Sequence, residues 1–245
     1  MKLASLILLA PAFALPALLT SPAAAQESRG VNPADIDSRF DVIAKRVRLD
    51  GGGDTDVLTF KYDYKLNKEW GLNFELPAYT KLAVPGFSVS GPGDFYARAR
   101  WIVPAGAWTY GASFETVLPT AGDDALGTGR YQLNIGALAV KPVSRSFMFA
   151  LVAKQTTSLG GDSERAKFSN TELRFVPVFI LSDGWALTGE VRQVWEHRSS
   201  TSWQRLEATV NKQFDLHWAG SVSLSRDFGD KKDGGAISAA LKYFF

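Results

Sequence analysis

The chain has 245 residues, no cysteine, and 27 basic against 25 acidic residues for a formal charge of +2. That balance carries no nucleic-acid footprint, and without cysteine no disulfide can brace the fold in an oxidising compartment. Past the first residues, no stretch offers the roughly twenty consecutive apolar residues of a spanning helix. Closed β-barrels remain as the other way to cross lipid with every backbone group satisfied.

The chain opens with Lys2, an apolar run from Leu3 to Leu19 broken by Pro11 and Pro16, and the small triplet Ala23-Ala24-Ala25. A positive start, an apolar middle and a small-residue cleavage site read as a secretory signal peptide over 1–25, with the mature chain starting at Gln26. Residues 26–38 are polar and are expected to form a periplasmic lead-in or a lumen plug, with Asn32-Pro33 opening a short turn of helix.

From 39 to 245 the pattern is strand, break, strand, break. Strands are expected near 39–50, 55–66, 70–79, 93–103, 107–118, 130–141, 146–157, 168–180, 185–197, 203–213, 217–228 and 235–245. Each has the length that a tilted strand needs to cross the hydrocarbon layer, whereas strands of soluble domains are typically about half that. Apolar and polar residues alternate. Trp108, Tyr110, Ala112, Phe114, Thr116 and Leu118 face one way, and Thr109, Gly111, Ser113, Glu115 and Val117 the other. The first strand is the weakest, because Val42, Ile43, Val47 and Leu49 do not share a parity. Short turns alternate with mostly longer loops, 80–92, 119–129 and 158–167 among them. The short set belongs to the periplasmic end of a transmembrane barrel. The expected fold is all-β: a transmembrane, antiparallel, up-and-down β-barrel of about 12 strands.

A soluble barrel would alternate too, with its apolar set inside. The choice of face rests on aromatic placement and on the chain's end. Trp70, Trp101, Trp108, Trp185, Trp195 and Trp218 sit near strand ends on the apolar parity, as in interfacial girdles. Ile237, Ala239, Leu241, Tyr243 and Phe245 share one parity and resemble the C-terminal insertion signature of bacterial outer-membrane proteins, which implies recognition by the barrel-assembly machinery. The apolar set is then expected against outer-membrane lipid. The polar set is expected to line the lumen: Glu75, Arg98, Arg100, Glu115, Lys154, Glu172, Arg174, Glu190, Arg192, Arg205 and Glu207.

Enclosed charges must be paired or hydrated. Pairing residues whose numbers sum to 364 puts Glu172 opposite Arg192 and Arg174 opposite Glu190, and the next strand adds Glu207 to give a row Glu172, Arg192, Glu207. Long Arg and Glu side chains in a barrel of this size argue against a wide, general pore. Phe87, Tyr96 and Phe168 are candidate surfaces for stacking a solute.

Enzymatic chemistry would need a base beside a nucleophile. Only His197 and His217 are available, and they fall near opposite ends, the first beside Glu196, Ser199, Ser200 and Ser202. Asp123-Asp124 and Asp162-Ser163-Glu164 lack full calcium-ligand spacing. No phosphate loop, dinucleotide fingerprint or zinc motif is present. No catalytic residue, cofactor, metal or nucleic-acid partner is expected.

One segment is more specific. Leu118-Pro119-Thr120-Ala121-Gly122-Asp123-Asp124-Ala125-Leu126-Gly127-Thr128-Gly129 resembles the LPTG … LGTG segment of the outer-membrane family named for the meta-pathway of phenol degradation. Ala121 is inserted where that pattern runs straight from Thr to Gly. Leu76-Pro77 and Gly91-Pro92-Gly93-Asp94 fit the same family's style, and the resemblance spans about 55–245. It implies passage of small, often aromatic, molecules across the bacterial outer membrane. The expected function is a non-enzymatic, porin-like barrel for passive or gated passage of small, hydrophobic or aromatic solutes. The alternatives are an outer-membrane enzyme of lipase or protease type and a structural barrel with a blocked lumen.

Overall fold

The computed structural model describes residues 29–230 and 234–245, so the expected signal peptide lies outside the described residues. Thirteen strands follow in order: β1 (Arg39–Arg48), β2 (Asp54–Lys65), β3 (Trp70–Val84), β4 (Phe87–Gly91), β5 (Phe95–Ala105), β6 (Trp108–Leu118), β7 (Arg130–Pro142), β8 (Phe147–Gly161), β9 (Ser169–Ile180), β10 (Trp185–Glu196), β11 (Thr201–Gln213), β12 (Trp218–Gly229) and β13 (Gly235–Phe244). Twelve of them form a closed antiparallel barrel in which each pairs with its sequence neighbour. The seam joins β1 to β13, from Arg39 opposite Phe244 to Arg48 opposite Gly235. The strand β4 stands outside this count, because it pairs back onto the upper part of β3.

That hairpin corrects the expected loop at 80–92. Thr80 to Val84 continue β3, the chain turns through Pro85-Gly86, and Phe87 to Gly91 return along it. The strand β8 likewise runs on to Gly161, so the following loop is shorter than expected. At the short-turn end the expected breaks hold. Between β9 and β10, Asp183 (φ 55°) and Gly184 (φ 72°) both take positive φ. That is the backbone of the tightest hairpins, and it is why an Asp-Gly pair sits there.

The two faces of the wall differ as the alternation requires. On the outside, Phe114 is 57% exposed, Ile135 59% and Leu224 60%, while on the inside Glu115 is 5% exposed, Asn134 4% and Glu172 8%. Trp70, Trp101, Trp185, Trp195 and Trp218 also point outward. So do Ile237, Leu241 and Phe245 of the terminal pattern. An apolar exterior around a charged interior inverts the soluble arrangement and needs hydrocarbon as its solvent. Arginine in place of Phe114, at mid-strand on this outer face, should cost about 2–4 kcal/mol. Equilibrium unfolding from lipid bilayers measures it, and an unchanged stability would place that face in water.

The poor alternation of β1 now has a reason. Val42 shares the outward parity of Phe40, whereas Ile43 and Val47 point inward with Arg39, Asp41 and Lys45. Arg46 and Arg48, at the long-loop end, take outward positions instead, and Arg46 forms a two-pronged pair with Asp56 (2.6 and 2.8 Å). Outward arginines suit the polar headgroup level, where the apolar rule no longer binds.

Candidate functional site

The interior is built by the inward parity of each strand, and its charges fall into clusters. The largest runs across β6, β8, β9 and β10. Lys154 reaches Glu115 (3.4 Å) and Glu172 (3.9 Å); Glu172 also takes Arg174 (2.5 Å) and Arg192 (3.5 Å). Glu190 closes the set on Arg192 (2.5 Å) and Arg174 (3.7 Å). The opposite-sign pairs expected here exist, but the register does not. Arg192 lies opposite Arg174, and Glu172 opposite Val194, two residues away from the expected alignment. Like charges facing each other directly would repel, so each arginine reaches diagonally to a glutamate.

The predicted row ending at Glu207 is also corrected. The next strand sets Arg205 opposite Arg192 and Glu207 opposite Glu190. Arg205 turns away to a two-pronged pair with Asp227 (2.6 and 2.7 Å). A further cluster joins β1, β2 and β3, with Arg39 on Asp41 (3.2 Å) and Asp63 (3.0 Å), and Lys61 on Asp63 (3.6 Å) and Glu75 (3.9 Å). Apart from Glu75, sequence reading missed these residues. The Lys61, Asp63 alternation with Phe60, Tyr62 and Tyr64 was the available signal.

Residues 29–38 enter the barrel at the short-turn end. Asn32 closes a turn, its carbonyl accepting from Asp35 N and its side chain from Ala34 N (both 3.0 Å). A turn, not the expected helical turn, thus forms at Asn32-Pro33. Val31 and Ala34 pack on the inward Val140, Ala150, Val176 and Val178 of β7, β8 and β9. Two strands from β7, Arg100 of β5 donates to the carbonyls of Pro33 (3.3 Å) and Asp35. Ile36 seats against Gly71, where a Cβ would come within 2.8 Å of its methyl, so no larger residue fits at 71. Arg29 donates to Leu216 O (2.9 Å), pairs with Asp37 (3.4 Å) and lies over the Phe244 ring at 4.6 Å. Residues 29–36 therefore bridge opposite walls of the barrel.

Above this bridge lies a cavity of about 510 Å³. Gly30, Val31, Asn32, Pro33 and Asp35 line it on the bridge side. Of the residues expected to line a lumen, Glu75, Arg98, Arg100, Glu115, Lys154, Arg174 and Glu190 line this cavity. Glu172 and Arg192 adjoin it through their ion pairs, and Arg205 and Glu207 share the inward face farther round. The three candidate stacking residues are not brought together. Tyr96 lines the cavity, Phe87 is 49% exposed on the β4 hairpin, and Phe168 lies in the loop before β9.

The two glycine-rich turn motifs form one structure. Asp94 accepts from Ala121 N (3.2 Å), Thr128 N (2.7 Å) and the Thr128 hydroxyl (2.9 Å). A Cβ at Gly127 would lie 2.5 Å from that carboxylate, so the glycine is a close-approach requirement. Gly91-Pro92-Gly93-Asp94 thereby holds down the long 119–129 loop. Arg165 ties the next loop to it through the Asp124 carbonyl, and Arg130 donates to the carbonyls of Asp162 (2.5 Å) and Arg165 (2.9 Å). Among the described residues, no group of three or more His, Asp or Glu side chains is arranged to hold a metal ion.

The histidines take up other partners than serines. His197 Nε2 bonds the Thr171 hydroxyl (2.7 Å), while Ser199 donates to Glu196 (2.7 Å). His217, at the other end, bonds the Phe244 carbonyl through Nδ1 (3.0 Å). In the same turn, Asp215 accepts from the N–H groups of His217 (2.7 Å) and Trp218 (2.8 Å). Those bonds hold its carboxyl below the ordinary aspartate range.

A closed twelve-stranded barrel, apolar outside and charged within, is a transmembrane β-barrel of the outer-membrane type. Among solved structures the chain is similar to the COG4313 outer membrane channel from Pseudomonas putida F1, with a TM-score of 0.70 at 17% identity over 89% of this chain and 98% of that one. It is also similar to the KdgM porin (TM-score 0.60, 10% identity, 84% of this chain and 99% of that one) and to the NanC porin (0.59, 9%, 84% and 98%). At these identities the likeness is one of fold. No protein-family model matches the chain, and no curated protein sequence matches it.

Proposed function

We propose that this protein is a non-enzymatic outer-membrane channel that admits small molecules through a narrow interior partly stopped by its own N-terminal segment. The observation that carries the reading is the 510 Å³ cavity, enclosed by a wall with an apolar exterior and stopped on one side by residues 30–35. The proteins with the same fold are described as channels and porins. The Leu118–Gly129 segment, by its resemblance to the phenol meta-pathway family, favours small aromatic solutes. The held loops and the crossing ion pairs support a narrow, selective passage over a wide aqueous pore.

The test is reconstitution of the mature barrel into planar bilayers and liposomes, with conductance and uptake of small aromatic compounds as the readouts. Small, discrete conductance and measurable flux are expected. A folded barrel with neither would overturn the reading in favour of a purely structural barrel.

A further inference from the structure

Arg98 stands apart from the other charges around the cavity. It is on β5, flanked across the sheet by Asn73 of β3 and Glu115 of β6. The carboxylates around it are engaged elsewhere, Asp63 with Arg39 (3.0 Å) and Lys61 (3.6 Å). Glu115 holds Lys154 (3.4 Å) and accepts from the Ser113 hydroxyl (3.1 Å), and Glu75 faces Lys61 (3.9 Å). Among the described residues Arg98 has no carboxylate within ion-pair reach, and its Nε is buried without a hydrogen-bond partner. A buried N–H left without an acceptor is costly, and a protein normally satisfies such a group.

The space beside it is shaped for a ligand. The next inward row sets Arg100 opposite Gly71 and Ser113, with Gly136 beyond. Ser113 and Gly136 line the cavity there, whereas Ile36 fills the space beside Gly71. Farther in, Ile102, Leu138, Val152 and Val176 line the same cavity. The lining thus combines charges of both signs, Glu75, Glu115 and Glu190 with Arg98, Arg100 and Arg174, with an apolar patch. The volume, about 510 Å³, lies within the range of roughly 300–1,000 Å³ typical of small-molecule sites.

We propose that Arg98 is the anion-recognition residue of this cavity, which takes a small monocarboxylate with an apolar body. This deepens the channel reading and rests on it. The planar guanidinium offers its fork of N–H donors to a carboxylate, a match that a point charge does not reproduce. The apolar body lies against Ile102, Leu138 and Val152.

Titration of the detergent-solubilised mature barrel with benzoate, benzyl alcohol and acetate tests this without requiring any flux. Benzoate should bind at least about tenfold more tightly than either of the others, as expected for one charge-assisted pair plus apolar contact. Arg98→Gln should abolish the preference of benzoate over benzyl alcohol, and Arg98→Lys should restore it only in part. Heat-modifiable gel mobility confirms that each variant is folded. Equal binding of benzoate and benzyl alcohol, or an unchanged preference in Arg98→Gln, would overturn the anion site. Acetate matching benzoate would overturn its apolar half. Benzoate binding in a barrel that carries no current would leave the site standing and sink the channel reading instead.

Discussion

Removing residues 29–36 from the mature chain is expected to raise single-channel conductance severalfold while the barrel remains folded. The wall does not need the segment, because the strand ladder closes from β1 through β13 without it. What the segment contributes is obstruction: Val31 and Ala34 sit on β7–β9, Arg100 of β5 holds the Pro33 and Asp35 carbonyls, and Arg29 lies over Phe244 of β13 across the barrel. Some stability is lost with it, since burying a Val or Ile side chain fully contributes roughly 1.5–3 kcal/mol. Arg100→Ala should loosen the segment without deleting it and give intermittent openings of the larger size. Conductance unchanged in both variants would mean that the restriction lies in the ion-pair cluster instead.

The second large effect is expected at Glu172, which joins Arg174, Arg192 and Lys154. Glu172→Ala leaves three cations around one cavity with only Glu115 and Glu190 to share. Stranding part of a buried ion-pair set typically costs about 3–5 kcal/mol. Water in the cavity lowers that, so a loss of about 2–4 kcal/mol is expected here. It is measured by unfolding from bilayers. Adding Arg174→Ala should recover part of the loss, because it removes one of the stranded charges. If the double variant is no more stable than Glu172→Ala, the cluster is not mutually compensating.

Much of this architecture could be read in the sequence because alternation reports the face on which each side chain lies. The inward parity of Glu115, Glu172, Arg174, Glu190 and Arg192 follows from their neighbours alone. Register does not follow in this way. A slip of two residues keeps every side chain on its own face, so the pattern could not distinguish Glu172 opposite Arg192 from the observed Arg174 opposite Arg192. Irregularities at Leu58/Thr59 and Arg130/Gln132 shift the pairing further and leave little trace in composition. The β4 hairpin did leave one. Pro85-Gly86 between Ala83-Val84 and Phe87-Ser88-Val89 is a turn between two short strand-like runs, hidden within a stretch read as loop. The bonds from the 119–129 loop to Asp94 span 27 and 34 residues, and no local rule reaches so far.

The seam between β1 and β13 has a consequence for biogenesis. The circle closes between strands far apart in sequence, and the N–H of Phe245 is donated to the carbonyl of Ser38. Until β13 has paired with β1, every partly assembled barrel has two raw strand edges open to association with other chains. Clipping a few C-terminal residues should therefore do far more harm to yield than inserting the same number at the tip of the loop between β8 and β9.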